Sequence, residues 1–344
     1  MLKLLFRFGT PSLAVGCLIM LGLIVKNRDW PSHLFTPANL QSFKILFISI
    51  ILEAFPFILL GVLFSALLQV FVTDELIRKF TPKNPVAGVL FGALLGIAFP
   101  LCECGMIPVV RRLIRKGMPA YIGIVYLLAG PIVNPIVYTS TFTAFRTTPE
   151  MAYSRMGLAF AVSVVIGLLL YAFMKKSPLK AAPAFHVLPH RGHGHNHDHD
   201  HDHGSLGKGF RGRVASVLSH ASDEFFDMGK YLIFGALLTA IIQTVIERSA
   251  LESFADQPLL AYLFMMAFAF ILSICSTSDA FIASSLSGMF DFGPLLAFLV
   301  FGPMIDLKNT LMLLSTFRVK FVLALIALTA VLTFIGAWLT EVLL

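Results

Sequence analysis

The stretch FPLCECGMIPVVRR, residues 99–112, follows a long apolar run and introduces two cysteines and a glutamate where a hydrophobic helix would continue. The proline and glycine residues around the cysteines interrupt helical geometry and leave backbone polar groups without helical partners. Such backbone is tolerated at membrane depth only inside protein or beside a water-filled cavity. The stretch therefore predicts the turn of a re-entrant hairpin, with Cys102, Glu103 and Cys104 near its tip.

The rest of the chain has the composition of a membrane protein. Of its 344 residues, 57% are hydrophobic and only 13% are charged. Apolar runs of membrane length alternate with short loops, which excludes a soluble globular domain and predicts a lipid bilayer as the surroundings. The net charge of +7 does not indicate a nucleic-acid partner, because the basic residues lie in loops, where they orient a membrane protein.

The two halves of the chain are similar in sequence. LLGVLFSALLQ at residues 59–69 matches LIFGALLTAIIQ at residues 232–243, and GPIVN at 130–134 matches GPMID at 302–306. Between these anchors the cysteine pair of the first half falls opposite a single cysteine, Cys275. Matches that occur in the same order along both halves indicate an internal duplication.

The basic loops indicate how each half crosses the membrane. Residues 111–116 carry four basic side chains and the polar linker is positive too, so both are expected in the cytoplasm. Too little chain lies between residues 86 and 111 for two full crossings, which favours the re-entrant hairpin. Each half then has three crossings, and this odd number places the second half in the opposite orientation. A competing interpretation treats the hairpins as full helices, with about nine or ten spans in total.

These inferences predict an all-α polytopic membrane protein. It consists of two inverted-topology repeats, each with broken or re-entrant helices, and an extra N-terminal helix. The predicted parts are an N-terminal transmembrane helix and loop (1–40), a first transmembrane repeat (41–174), a His-rich cytoplasmic linker (175–214) and a second transmembrane repeat (215–344).

The cysteine pair is the first candidate for substrate contact. Cys102 and Cys104 can bind one soft species such as Cu(I), Zn(II) or trivalent arsenic. Glu103 between them would be costly in a membrane unless it is paired or functional. The alternative is a turn at headgroup level whose polar residues are merely solvated.

The second half keeps one thiol and a carboxylate at the equivalent place, in the segment from Cys275 to Asp279. We expect its hydroxyl groups and the Asp279 carboxylate to contact a coupling proton or a harder ion. Ordinary packing of Ser and Thr between helices is the alternative.

A Gly-Pro pair breaks a helix in each half, and a polar residue follows it at a matched position. These residues are Asn134 and Asp306, which we expect to line the transport pathway, since matched helix breaks indicate a transport site. The alternatives are a kink with a satisfied Asn134, and an Asp306 at the cytoplasmic interface beside Lys308.

Matched carboxylates also occur in the first helix of each half. Glu53 lies within an apolar run, and an intramembrane carboxylate is a candidate for proton coupling. Asp227 is its counterpart and the second coupling candidate. The alternative for Asp227 is an interfacial helix start, where the helix dipole favours acids.

The linker contains the run HRGHGHNHDHDHDHG at residues 190–204. Imidazoles at this density bind zinc or similar divalent ions. The sequence therefore predicts metal binding by the linker, in a buffering or sensing role, while no cofactor is required for transport. The predicted metal ligands are His193, His195, His197, His199, His201 and His203.

The runs FPLCECGMIPVVRRLIRKGMP and LLAGPIVNPIVYTSTFTAF resemble the predicted-permease family of YraQ-like and ArsP-like membrane proteins. The resemblance covers most of residues 40–342 and implies a bacterial inner-membrane permease. The ArsP-like members imply export of trivalent organoarsenicals through thiol ligands, and other relatives imply zinc or copper handling. The His-rich run is not part of the family pattern.

The sequence thus favours a secondary transporter that exports a thiophilic metal or metalloid species, with an accessory membrane subunit or a second copy of the chain as its possible partner. Two other functions fit less of the sequence. An integral-membrane thiol redox enzyme would use the cysteines but would leave the duplication unexplained. A structural partner of an envelope complex is the third interpretation.

Overall fold

The computed structural model describes residues 37–82, 84–99, 101–174, 177–180, 210–245 and 257–344. Residues 1–36 of the predicted N-terminal helix and loop, the His-rich run and residues 246–256 lie outside these ranges. The described residues form helices joined by short loops, with one isolated bridge between Leu179 and Phe317. The prediction of an all-α protein is confirmed.

The described residues form seven helices in the first half and six in the second half. They are α1 (Pro37–Phe71), α2 (Asp74–Phe80), α3 (Pro85–Ala98), α4 (Glu103–Arg115), α5 (Ala120–Ala129), α6 (Pro135–Ala144) and α7 (Glu150–Phe173), then α8 (Phe210–Val245), α9 (Pro258–Leu272), α10 (Asp279–Ser285), α11 (Phe292–Met304), α12 (Leu307–Thr316) and α13 (Val319–Leu343).

Five stretches of the described chain are long and apolar enough to cross a membrane, as a multi-pass protein requires. They are Leu40–Phe71, Glu150–Phe173, Val217–Thr244, Phe292–Thr316 and Val319–Leu343. Three shorter apolar helices, α3, α5 and α9, lie between them.

The two halves have the same order of elements, apart from α2, which has no counterpart among the described residues of the second half. Each half runs from a long helix to a shorter apolar helix and then to a cysteine-containing turn. A helix interrupted near the Gly-Pro pair follows, and a long helix closes the half. The opposite orientation of the two halves and the re-entrant course of the hairpins stay predictions.

Helices of one half pack against their own counterparts in the other half. The helix pairs α1 with α8, α5 with α11, and α7 with α13 are all in contact. The cysteine-containing segments cross over instead, so that α4 packs on α12 and α10 packs on α6. The halves are therefore intertwined, and polar residues from both halves meet at these two crossover contacts.

Candidate functional site

The Cys-Glu-Cys motif forms the start of α4. Cys102 has an extended backbone, and its carbonyl accepts hydrogen bonds from the amides of Gly105 at 3.1 Å and Met106 at 3.2 Å. Its side chain is half-buried, whereas Glu103 is 4% exposed and Cys104 is 3% exposed. Because protein covers Glu103 and Cys104, the alternative of a turn solvated at the headgroups does not describe these side chains.

The Glu103 carboxylate is buried without full hydrogen bonding. Its Oε1 atom has no hydrogen-bond partner. The Lys308 ammonium and the Asp306 carboxylate, both from the second half, lie within electrostatic range of it. A buried glutamate is costly unless a nearby charge compensates it, and Lys308 is the compensating charge here.

Lys308 is a residue whose position the sequence did not reveal. Sequence reasoning counted it as a cytoplasmic loop charge, but the structure buries it on α12 with 6% of its surface exposed. Its ammonium donates to the carbonyl oxygen of Ser273 at 3.3 Å and lies within electrostatic range of Cys104. The signal that could have found it is its position two residues after the matched Asp306 at the helix break.

Asn134 and Asp306 have the same structural role at their matched positions. Asn134 caps α6, because its Oδ1 accepts from the Val137 amide at 2.9 Å and its side-chain amide donates to Gly130 O at 3.0 Å. Asp306 caps α12 by accepting from the Asn309 amide at 2.5 Å.

The two capping side chains differ in whether a polar atom is left without a hydrogen-bond partner. The Asn134 side chain uses both its carbonyl and its amide group locally, as the satisfied-kink alternative expects. Asp306 keeps its Oδ2 atom without a hydrogen-bond partner, although the residue is only 1% exposed. Protein therefore surrounds the Asp306 carboxylate, whereas its depth in the membrane stays a prediction.

Asp279 begins α10 and lies at the other crossover contact. Its Oδ2 atom accepts from Nη2 of Arg155 at 2.7 Å, and both side chains are almost fully buried. The same nitrogen donates to Ser276 O at 3.0 Å, and Nη1 of Arg155 donates to Thr141 Oγ1 at 2.8 Å. Asp279 is thus held by an arginine of the first half.

Sequence reasoning missed Arg155. The signal was present, because an arginine inside the apolar run of α7 is rare in membranes and marks a functional or paired group. Its partners lie on segments distant in sequence, so no spacing rule could have identified them.

Cys275 is a third thiol near the candidate site. It is half-buried, its Sγ atom is 3.5 Å from Thr277 Oγ1, and it lies within electrostatic range of Cys102 and Cys104. Cys102, Cys104 and Cys275, the cysteines among the described residues, are free thiols. The structure thus brings the sulfur atoms of both halves into one region.

The two coupling candidates occupy different surroundings. Glu53 is exposed on α1 but lies within electrostatic range of Lys308 and Cys275. Asp227 is exposed on α8 and pairs with Lys230 at 2.9 Å one turn along the same helix. Their roles in coupling stay predictions.

The four basic residues at 111–116 lie in the last turns of α4 and at its C-cap, not in a loop, and two of them are anchored to other helices. Arg112 contacts the buried Glu224 of α8 at 3.4 Å, and Lys116 donates to Val72 O at 2.5 Å. Burial lowers the pKa of the Arg115 guanidinium, and repulsion from Arg111 and Arg112 lowers it further. The end of α4 therefore concentrates positive charge, and its cytoplasmic location stays a prediction.

The described ranges contain no group of three or more His, Cys, Asp or Glu side chains arranged to hold a metal ion. The six predicted histidine ligands lie outside those ranges, so metal binding by the linker stays a prediction. What the described residues offer is the thiol pair of the first half, a third thiol from the second half, nearby carboxylates and one ammonium.

Comparison with known proteins gives the same class as the fold. The profile of a family described as "predicted permease" matches residues 39–342. The chain is 46% identical over 297 residues to UPF0718 protein YcgR of Bacillus subtilis (strain 168), covering 86% of this chain and 96% of that protein. It is 38% identical over 302 residues to a protein of Streptococcus mutans serotype c that is provisionally named a two-component membrane permease complex subunit, covering 87% of this chain and 95% of that protein. No solved structure matches the chain.

Proposed function

Since the chain belongs to the predicted-permease family, we propose that it is a secondary transporter that exports a thiophilic metal or metalloid species. Family membership makes the protein a membrane permease and not an enzyme, so the thiol redox function weighed from the sequence is not retained. The observation that carries the proposed substrate is the thiol pair of Cys102 and Cys104, which begins α4 where the two halves meet.

The number of thiol ligands favours a substrate whose central atom has two bonds available for sulfur. Tetrahedral zinc takes four ligands, and no cluster of even three acidic, thiol or imidazole groups is arranged for a metal in the described part of the chain. A trivalent arsenical with one organic substituent needs only two thiols, since its third bond is to carbon. The pair therefore suits an organic trivalent arsenical better than a zinc ion.

Binding of such a species is a balanced exchange. Each thiol sulfur forms one bond to arsenic, each arsenic–oxygen bond breaks, and each thiol proton leaves with a hydroxide as water. The substrate is neutral before and after this exchange, so it adds no charge beside the buried Lys308 ammonium. Neutral cargo avoids the cost of placing a further unpaired charge in the protein interior.

The arrangement of the halves supports alternating access by an inverted repeat. In such transporters the substrate lies near mid-membrane, where broken helices of the two halves meet. Here α4 contacts α12 and α6 contacts α10, and each contact joins a cysteine-containing segment of one half to a capped half-helix of the other. Glu103, Asn134, Asp279 and Asp306 are the polar residues that we propose line the pathway.

A second subunit is the proposed partner, because one relative is named as part of a two-component permease complex. For this chain the partner would be an accessory membrane protein or a second copy. We also propose that the His-rich linker of this chain buffers or senses metal in the cytoplasm.

The substrate is tested in a bacterial strain that lacks its own arsenic and zinc exporters. Expression of the chain is expected to raise resistance to methylarsenite more than resistance to arsenite, zinc or copper. Replacing both thiols, Cys102→Ser with Cys104→Ser, is expected to remove this resistance while the protein level in the membrane stays the same. Cys17→Ser is the matched control, because it removes a thiol that is not part of the Cys-Glu-Cys motif.

Two results would overturn the proposal. Full resistance in the double serine variant would show that the thiols do not bind the cargo. Resistance to zinc alone, with none to methylarsenite, would reassign the substrate to a divalent ion.

A further inference from the structure

The two crossover contacts are chemically alike but differ in their bonding. Each places the first-turn carboxylate of a cysteine-containing segment near a buried cation from the other half. Asp279 on α10 faces Arg155 of the first half, and Glu103 on α4 faces Lys308 of the second half. A buried ion pair is weak evidence for stability because its desolvation is costly, so selection of a conformation is the hypothesis for the Arg155–Asp279 pair.

The contact around Asp279 is closed. Arg155 donates to Asp279 at 2.7 Å, to Ser276 O at 3.0 Å and to Thr141 Oγ1 at 2.8 Å. Two further bonds join α6 to the same segment of the second half, from Ser140 Oγ to Thr277 O at 2.5 Å and from Ser284 Oγ to Ala144 O at 2.8 Å.

The contact around Glu103 lacks an ion pair in the described part of the chain and is called open here. Among the described residues no cationic nitrogen lies within ion-pair distance of its carboxylate. The Lys308 ammonium bonds the carbonyl oxygen of Ser273 instead. Each carboxylate leaves one buried oxygen without a hydrogen-bond partner, Oε1 of Glu103 and Oδ1 of Asp279, so the two contacts differ in the ion pair. One crossover contact therefore contains an ion pair, whereas its counterpart, within the described ranges, does not.

From this asymmetry we infer that Arg155 and Asp279 form a latch between the halves that closes the extracytoplasmic side of the pathway. The side follows from the predicted orientation, in which α6 ends and α7 begins outside the cell. Arg155 lies five residues after the first residue of α7, near that end. The inference rests on the proposed transport function and adds a gating role that the sequence did not indicate. Arg155 is a positioning residue, since it acts on the segment that Asp279 begins and not on the cargo.

The latch has to open once in each transport cycle. While it is closed, the half-buried thiols of Cys102 and Cys275 can be reached only from the cytoplasmic side. Breaking the ion pair removes the bond that holds the start of α10 to α7 and leaves the two serine bonds as the remaining side-chain links to α6. The equilibrium then moves toward the state that is open to the outside.

Cys275 is a built-in reporter of this opening, because it lies four residues before Asp279 in the same segment. A membrane-impermeant maleimide is applied to right-side-out and to inside-out membrane vesicles containing the full chain. The labelling rate of Cys275 is then read by peptide mass mapping. No transported substrate is needed, so the result is independent of whether the cargo is an arsenical.

Arg155→Ala is expected to raise labelling of Cys275 from the outside about tenfold and to lower labelling from the inside. Asp279→Asn, which keeps the shape of the side chain, is expected to act in the same direction. Exchanging the charges, Arg155→Asp with Asp279→Arg, is expected to restore part of the protection. Arg146→Ala is the matched control, since Arg146 is exposed just before α7, and it is expected to change neither rate.

Three outcomes would overturn the latch. A rise in labelling from both sides alike would assign the ion pair a purely structural role. Unchanged labelling in both Arg155→Ala and Asp279→Asn would show that the pair does not hold the segment closed. A rise from the inside only would place the gate on the other side of the membrane.

Discussion

Gly61 on α1 and Gly105 on α4 meet in direct backbone contact. A Cβ atom on Gly61 would lie 2.4 Å from the Cα of Gly105, and a Cβ on Gly105 would lie 2.8 Å from Phe57 O. These distances are shorter than any van der Waals contact and involve backbone, which cannot turn away. The close approach holds the start of α4, and with it the two thiols, against the first helix.

We therefore expect Gly61→Ala and Gly105→Ala each to displace α4 from α1. The expected results are a lower unfolding midpoint in detergent, by several degrees, and a weaker thiol-dependent resistance, because overpacking a tight contact costs about 1–3 kcal/mol. Gly157→Ala on α7 is the control, since nothing lies within 4 Å of the position that the added methyl group would take. An unchanged midpoint in both test variants would contradict the close approach.

The caps at the two helix breaks give a second prediction. Replacing Asn134 by Ala is expected to destabilise the protein by about 1 kcal/mol, because the first amides of α6 lose their side-chain acceptor. Asp306→Asn is expected to keep the cap of α12 but remove its charge. The thermal unfolding midpoint measures the effect of losing the cap, and the transport assay measures the effect of losing the charge. If Asp306→Asn lowered stability as much as Asp306→Ala without affecting transport, the carboxylate would be only a cap.

The third prediction concerns orientation. Single cysteines placed at residues 111–116 and at residues 250–256 are expected to react with an impermeant maleimide from opposite sides of the membrane, since an inverted repeat puts these segments on opposite faces. The measurement is labelling of intact cells compared with inverted vesicles. Labelling of both segments from one side would exclude the inverted topology.

A fourth prediction follows from Glu224, which joins three helices. It accepts from Ser65 Oγ on α1 at 2.8 Å, lies 3.4 Å from Arg112 of α4, and is 7% exposed. Glu224→Ala is expected to destabilise the protein by about 1–3 kcal/mol, because Ser65 and Arg112 lose a buried acceptor. Thermal unfolding in detergent is the measurement.

The exposed Glu75 of α2 provides the comparison for Glu224. Glu75→Ala is expected to leave the unfolding midpoint nearly unchanged, since an exposed surface acid contributes little. Equal effects of the two substitutions would show that Glu224 does not join the helices.

Much of the helical architecture could be predicted from the sequence, because an apolar segment that crosses a membrane has few alternatives to a helix. Apolar runs of sufficient length have to be helical, since every backbone polar group must be satisfied inside the segment. The Gly-Pro pairs predicted a break in each half, and the structure interrupts the helices beside Asn134 and Asp306. Both are N-caps, as helix starts favour Asn and Asp.

The polar contacts between the halves could be predicted only in part from the sequence. The sequence indicated Glu103, Asp279 and the thiols, because polar groups in apolar runs are conspicuous. It did not indicate that Lys308 is buried, because a lysine near a predicted interface usually belongs to the loop charges. Nor did it pair Arg155 with Asp279, which lie 124 residues apart.

The sequence by itself determined the class of the protein, its helical elements and the residues that carry unusual chemistry, and it predicted the duplication. These properties follow from local composition and order along the chain. The tertiary structure decided which charges meet, because partners such as Arg155 and Asp279 are brought together only when the two halves interlock. It also decided that one crossover contact is closed while the other is open, and that difference depends on distances between segments that no local pattern specifies.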